Sequence, residues 1–381
     1  MELVANWNYP TPIRFGAGRI SELLEVIKYV GLKRPLLVTD KGLVNLPITQ
    51  NALDLIEQGG FGRAVFSDVD VNPNDINLSA GIDVYKKGNH DGVIAFGGGS
   101  ALDLGKLIAF QAGQSRPIWD FEDVGNWWTR ADENAIAPII AIPTTAGTGS
   151  EVGRAGVLTN SQTHVKKIIF HPKILPQLVI CDPELSVGMP SAITIGTGMD
   201  AFIHSLEAYS SPFYHPMSQG IALEGMRLVK ENLGKVYANP NDIKARAHMM
   251  AAAAMGATAF QKGLGAMHAL SHSVGALYNT PHGMTNAIVM PYVLKFNRPA
   301  IEGRIENLSA YLGIKGGFDG FYNFIMRMRS DFEVPQKLNA LGVDDKRIDE
   351  LANMAIKDPS AGGNPVELTF KTAKRLFEEA I

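Results

Sequence analysis

Between residues 35 and 184 the sequence alternates short apolar runs with stretches of helix length, and after about residue 185 hardly a β-branched run remains. The runs are "PLLVTD" (35–40), "RAVFSDV" (63–69), "GVIAFGGGS" (92–100), "PIIAIPTT" (138–145) and "LVICDPE" (178–184). Between them lie a stretch holding Leu53, Leu55 and Ile56, then "DINLSAGIDVYKKG" (75–88) and "LDLGKLIAF". Strands interleaved with helices argue for a parallel sheet covered on both faces. "AGVLTN" (155–160) and "KKIIF" (166–170) read as a hairpin added to that sheet. From "SAITIGTGMDAFIHSLEAYSS" onward the pattern is that of consecutive helices. The expected organisation is an α/β domain over residues 1–185 and an all-helical domain over 186–381, with the boundary near Leu185–Pro190.

Composition removes several classes of function. Of 381 residues, 46% are hydrophobic, enough to bury a core in each of two domains. The 35 basic and 38 acidic side chains nearly balance, which leaves no electrostatic footprint for nucleic acid or an anionic membrane. Cys181 is the single cysteine, so no intrachain disulfide forms. "MELVANWNYPTPIRFG" lacks the basic start and apolar run of a signal peptide, and no stretch approaches the roughly 20 apolar residues of a membrane span. A cytoplasmic protein is expected.

Three elements point to a nucleotide. Strand, then Gly97-Gly98-Gly99-Ser100, then helix is the geometry of an anion site, where glycines admit a phosphate to free N–H groups and a positive dipole end. "PTTAGTGSE" (143–151), with Thr144, Thr145 and Thr148, also follows a strand, where ligands of open α/β sheets lie. Asp40 closes "LLVTD"; its carboxylate is placed either to cap the following turn or to accept from ribose hydroxyls and repel a 2′-phosphate. Together they predict a dinucleotide, NAD over NADP.

"GLGAMHALSHSVGALYNTPHG" (263–283) concentrates His268, His272 and His282, and "TGMDAFIHSLEAY" places Asp200 and His204 one helical turn apart. One carboxylate and several imidazoles from two helices and a turn suit Fe²⁺ or Zn²⁺ rather than Ca²⁺ or Mg²⁺. The histidines at 90, 164, 171, 215 and 248 have no such partners at helical spacing; His90 and His164 read as solvated loop residues and His248 as a helix-surface residue.

"GGGSALDLGK", "PTTAGTGSE", "GMDAFIHSLEAY", "HALSH" and "PHG" stand in the order and spacing of the iron-containing (group III) alcohol dehydrogenases, which the chain resembles from "FGAG" (15–18) to its C-terminal helices. The resemblance implies a dehydroquinate-synthase-like fold of two domains, with NAD(P) on the first and the metal on the second. It also implies that Asp200, His204, His268 and His282 are the metal ligands and that His272 is a proton-relay residue beside the nicotinamide. By the same resemblance Gly97, Gly98, Gly99 and Ser100 contact pyrophosphate, Thr144, Thr145 and Thr148 line the cofactor, and Asp40 favours NAD. Homodimers are common in that family.

The implied activity is reversible hydride transfer between a primary alcohol and NAD⁺, assisted by the metal. A lyase of the dehydroquinate synthase type and a nucleotide sensor without turnover are the rivals; stoichiometric NADH from an alcohol separates them. "AFQKGLG", "SEVGR" and "FHPKILP" look most like the branch with 4-hydroxybutyrate dehydrogenases. On that reading Arg154, Phe260 and Lys262 contact substrate and a cation holds a short ω-hydroxy acid or semialdehyde. The alternatives are that Lys262 is a solvated loop residue and Arg154 a structural ion-pair partner, with a plain alcohol or diol as substrate.

Overall fold

The computed structural model describes residues 11–163 and 165–381, so His164 lies outside the described residues. The described chain divides into two compact units, one ending at Gly188 and one running Met189–Ile381.

The first unit is built on six parallel strands in the order β1-β8-β5-β4-β2-β3. In chain order they are β1 (Ile13–Phe15), β2 (Pro35–Val38), β3 (Val65–Phe66), β4 (Gly92–Gly97), β5 (Ile139–Pro143) and, after a hairpin of β6 (Ala155–Thr159) and β7 (Lys166–Phe170), β8 (Leu178–Cys181). Every residue of β2, β4, β5 and β8 is buried, which is why these strands read as continuous apolar runs. Helices α1 (Leu23–Val30), α2 (Pro47–Gln58), α3 (Asp75–Lys87) and α4 (Gly99–Gln111) connect them. Asn74 starts α3 by accepting from the backbone of Ile76 and Asn77, while the Asn77 side chain returns a bond to Asn74. From β2 the chain moves outward to β3, then returns to the other side of β2 for β4. The strand order therefore reverses between β2 and β4, the position at which such sheets bind ligands.

Two sequence expectations need correction. The β6–β7 hairpin is a separate two-stranded sheet, not an extension of the parallel one. It lies over α4: a β-carbon on Gly156 would stand 2.8 Å from Leu107, and the Val157 amide donates to Asp103. Strand β1, three residues long and paired with β8, was not expected at all.

The second unit is helical among the described residues. It comprises α5 (Ser191–Ser210), α6 (Pro216–Ala238), α7 (Ile243–Ala259), α8 (Ala266–Tyr278), α9 (His282–Tyr311), α10 (Gly317–Asp331), α11 (Ile348–Ala355) and α12 (Phe370–Ala380). Helix α5 is its centre: sixteen of its twenty residues are buried, and α6, α7 and α9 pack around it. No described helix is long and apolar enough to cross a membrane.

Candidate active site

In the first unit the expected cofactor residues gather at the carboxyl ends of β2, β4 and β5. Gly97 ends β4 at φ 144°, a backbone closed to most side chains, and Gly98 and Gly99 lead into α4, whose first amides have no intrahelical acceptor. The two loops lie against each other. A β-carbon on Gly99 would come within 2.5 Å of Thr148, one on Gly98 within 3.3 Å of Thr145, and the Thr144 amide donates to Gly97 O at 3.0 Å. Asp40 Oδ1 accepts from the amides of Gly42 (2.8 Å) and Leu43 (3.0 Å), so it does cap its own turn. Its other oxygen faces Gly97, where a β-carbon would stand 3.6 Å away. The Ser100 hydroxyl donates to Val71 O at 2.5 Å, so its side chain is engaged within the protein.

Two residues of "GGGSALDLGK" that sequence reasoning passed over hold the loops together. Asp103 accepts from the Ser150 hydroxyl and, at 3.0 Å, from the Val157 amide. Lys106, 1% exposed, donates to Ser150 O at 3.0 Å and to Ala155 O. An i, i+3 pair on the helix that begins one loop thus clasps the other. Beside them Glu151 is buried, and burial, outweighing its own backbone hydrogen bond and the charge of Lys106, pushes its carboxyl up to about 7.

In the second unit the structure brings together Asp200 and His204 from α5, His268 from α8 and His282 from the first turn of α9. Asp200 Oδ1 stands 3.9 Å from His204 Nε2, 3.7 Å from His268 Nε2 and 3.6 Å from His282 Nε2. Metal bonds of about 2.0–2.2 Å place tetrahedral donors about 3.3–3.6 Å apart, close to this spacing. Asp200, His204 and His268 hold buried ligand atoms within 4.8 Å of one another, His282 joins them through its approach to Asp200, and nitrogen with oxygen donors suits first-row iron or zinc. The residues fit the metal.

Local packing explains how the four converge. Asn279, at φ 52°, ends α8, and Pro281 precedes α9, whose first residue is His282. At Gly283 the backbone of α9 lies on α5: a β-carbon there would stand 2.1 Å from Gly196 O and 3.2 Å from Asp200 Cβ. Only glycine admits that approach.

The Nδ1 atoms of the α8 and α9 histidines are held from outside. His268 Nδ1 bonds Glu207 Oε2 at 2.6 Å, His272 Nδ1 bonds Asp358 Oδ2 at 2.9 Å, and His282 Nδ1 meets Ser271 Oγ at 3.0 Å. Asn286 Nδ2 donates to Asp200 Oδ1 at 2.9 Å. Burial pulls His268 down, but Glu207, Asp200 and Asp358 outweigh it and hold the imidazole above its ordinary value. Sequence reasoning missed Glu207, Ser271, Asn286 and Asp358. Glu207, Ser271 and Asn286 left a signal in their spacing, three or four residues after His204, His268 and His282 on the same helices; Asp358 left none.

The expected substrate contacts fare differently. Phe260 packs on His204, ring centroids 5.1 Å apart, and so adjoins the cluster of Asp200 and the three histidines. Lys262 is not a solvated loop residue. It is 2% exposed and donates to Tyr209 O at 3.1 Å, at the end of α5 where Arg304 also donates to Ser210 O. Burial, with Arg304 nearby, lowers its amine to about 7. It caps a helix rather than presenting a charge in an apolar site. Arg154 lies over the Phe170 ring at 5.3 Å with Asp123 acting on it. His171 is buried between Phe110 and Trp128 and accepts from the Lys173 amide. His90 bonds Arg34 O rather than water alone.

The family models described as "Iron-containing alcohol dehydrogenase" and "Fe-containing alcohol dehydrogenase family, C-terminal" match residues 10–183 and 194–381. The 1,3-propanediol dehydrogenase of Citrobacter freundii is 35% identical over 99% of this chain and 98% of its own. The 4-hydroxybutyrate dehydrogenase of Cupriavidus necator is 35% identical over 98% and 99%. The crystal structure of sulfoacetaldehyde reductase from Bifidobacterium kashiwanohense in complex with NAD⁺ has a TM-score of 0.89 at 29% identity, covering 100% of this chain and 99% of that one. With both units matched and relatives at this identity along the whole length, the chain belongs to the iron-containing alcohol dehydrogenase family.

Proposed function

We propose that this chain interconverts a short primary alcohol and its aldehyde with NAD(H), using a divalent iron or zinc held by Asp200, His204, His268 and His282. The observation that carries the reading is the convergence of three Nε2 atoms on one buried carboxylate oxygen. A divalent ion held there supplies a Lewis acid that lowers the pKa of an alcohol hydroxyl, or polarises a carbonyl in the reverse direction. Bound NAD⁺ supplies the hydride acceptor.

The protein's own groups do the rest. Asp358 fixes the ring proton of His272 on Nδ1, so Nε2 is the atom that takes up or returns a proton. The amides of Gly98, Gly99 and Ser100 at the start of α4 hold the pyrophosphate, with Thr144, Thr145 and Thr148 along its edge. The oxygen of Asp40 not used in its turn accepts from the ribose and excludes a 2′-phosphate.

The substrate is a neutral alcohol or diol in preference to an ω-hydroxy acid. Lys262 is buried and committed to the end of α5, which removes it as a free anchor for a carboxylate. The test is NADH formation by Fe²⁺- and Zn²⁺-loaded enzyme with 1,3-propanediol, 1-butanol and 4-hydroxybutyrate. One NADH per aldehyde and higher kcat/KM for the neutral substrates are expected. A preference for 4-hydroxybutyrate overturns the neutral assignment, and no NADH with any alcohol overturns the dehydrogenase.

A further inference from the structure

We infer that Glu207 is a positioning residue of the metal centre: by holding the His268 ring proton on Nδ1 it keeps the Nε2 lone pair directed at the metal. The inference rests on the reading of Asp200, His204, His268 and His282 as ligands. Glu207 lies on α5 three residues after His204 and is 5% exposed. Its two oxygens have separate duties. Oε1 accepts from the Met267 backbone amide at 2.7 Å, and Oε2 meets His268 Nδ1 at 2.6 Å.

A carboxylate only accepts, so the proton in the second bond belongs to the imidazole, and a neutral ring protonated at Nδ1 carries its lone pair on Nε2. That is the nitrogen facing Asp200. Both Glu207 oxygens are thus engaged by partners on the α8 segment. With Ser210, Gly265, Asn297 and Asn364, Glu207 lines a small cavity. The two asparagines there are spent on each other: Asn297 donates to Asn364 Oδ1 at 2.9 Å and Asn364 to Asn297 Oδ1 at 2.8 Å. Carboxylates placed so behind a ligating histidine orient the ring and raise its basicity, and their loss typically costs about 10–100-fold in metal affinity.

Glu207→Gln separates this role from packing. The amide keeps the volume but has one acceptor for two donors. The Met267 amide cannot change its proton; the imidazole can, by moving its proton to Nε2 and accepting from the new NH₂ at Nδ1. The full-length protein is titrated with Zn²⁺ against a competing chelator, and the metal-free protein, ¹⁵N-labelled at histidine, is examined by NMR at alkaline pH. Expected are a roughly 10–100-fold weaker Zn²⁺ affinity in Glu207→Gln, unchanged NAD⁺ affinity, and a His268 signal that moves from the Nδ1–H to the Nε2–H form. Glu207→Ala, which strands both donors, loses at least as much. Wild-type Zn²⁺ affinity in Glu207→Gln, or a His268 proton on Nε2 in the wild type, overturns the proposal while leaving the ligand set standing. A wild type whose Zn²⁺ binding is untouched by His268→Ala overturns both.

Discussion

The glycine of "PHG" should be essential for metal binding although it touches no metal. Helix propensity alone favours alanine over glycine by about 1 kcal/mol, so Gly283→Ala in the first turn of α9 would ordinarily stabilise. Here the added β-carbon would stand 2.1 Å from Gly196 O and 2.7 Å from Gly196 C, both backbone atoms of α5 that cannot rotate away. An unstrained C···O contact needs about 3.3 Å, so the start of α9 must retreat by roughly 1 Å. Overpacking of that kind costs about 1–3 kcal/mol, which outweighs the propensity gain. His282 is the residue immediately before, 3.6 Å from Asp200 Oδ1, and metal sites tolerate only about 0.2 Å in bond length. Gly283→Ala should therefore weaken Zn²⁺ at least tenfold by chelator competition, the scale on which displaced outer partners act, and lower stability in urea, with NAD⁺ affinity unchanged. Wild-type metal affinity and stability would refute the reasoning. A loss of stability alone would show that the contact is real but does not set the position of His282.

Asp40→Gly should permit use of NADP, read as the ratio of kcat/KM for the two cofactors, and should cost about 1 kcal/mol of stability because the caps on Gly42 and Leu43 are lost; wild-type preference for NADP would refute the role. His272→Asn should retain full metal content and lose rate, and loss of metal would show it to be a ligand. Lys262→Met should reduce kcat/KM alike for 1,3-propanediol and 4-hydroxybutyrate, since the amine caps α5; a selective loss for the acid would restore it as a substrate anchor. The same residue gives stability a pH signature. The folded amine sits at about 7 against an ordinary 10.5, so between those values only the unfolded chain holds the proton and stability rises with pH. Urea titrations at pH 7 and 9 should show wild type gaining roughly 1–2 kcal/mol relative to Lys262→Met, and parallel curves would refute it.

What the sequence made legible was whatever is written locally. Asp200 and His204, like His268 and His272, are one turn apart, so their shared helix faces follow from spacing. The β2, β4, β5 and β8 runs are apolar throughout because both of their faces are covered. What stayed hidden depends on contacts between distant segments. Glu207 and His268 are 61 residues apart, and Asp358 and His272 are 86. The β6–β7 hairpin could be read from its two short strands, but its seat on α4 rests on Gly156 and Asp103. Strand β1 is too short to show a period and exists through its pairing with β8. Lys262 was misleading for a physical reason: a charged residue beside glycines looks exposed, and nothing nearby in the sequence reveals the carbonyl of Tyr209.

The central claim is that Asp200 and the three histidines hold the metal on which turnover depends. The direct measurement is metal stoichiometry and NADH formation with 1,3-propanediol on the Fe²⁺- or Zn²⁺-loaded wild type and on Asp200→Ala, with NAD⁺ affinity measured in both. One metal per wild-type chain, none in Asp200→Ala, loss of turnover and unchanged NAD⁺ binding are expected. Full metal content or full activity in Asp200→Ala would contradict the account.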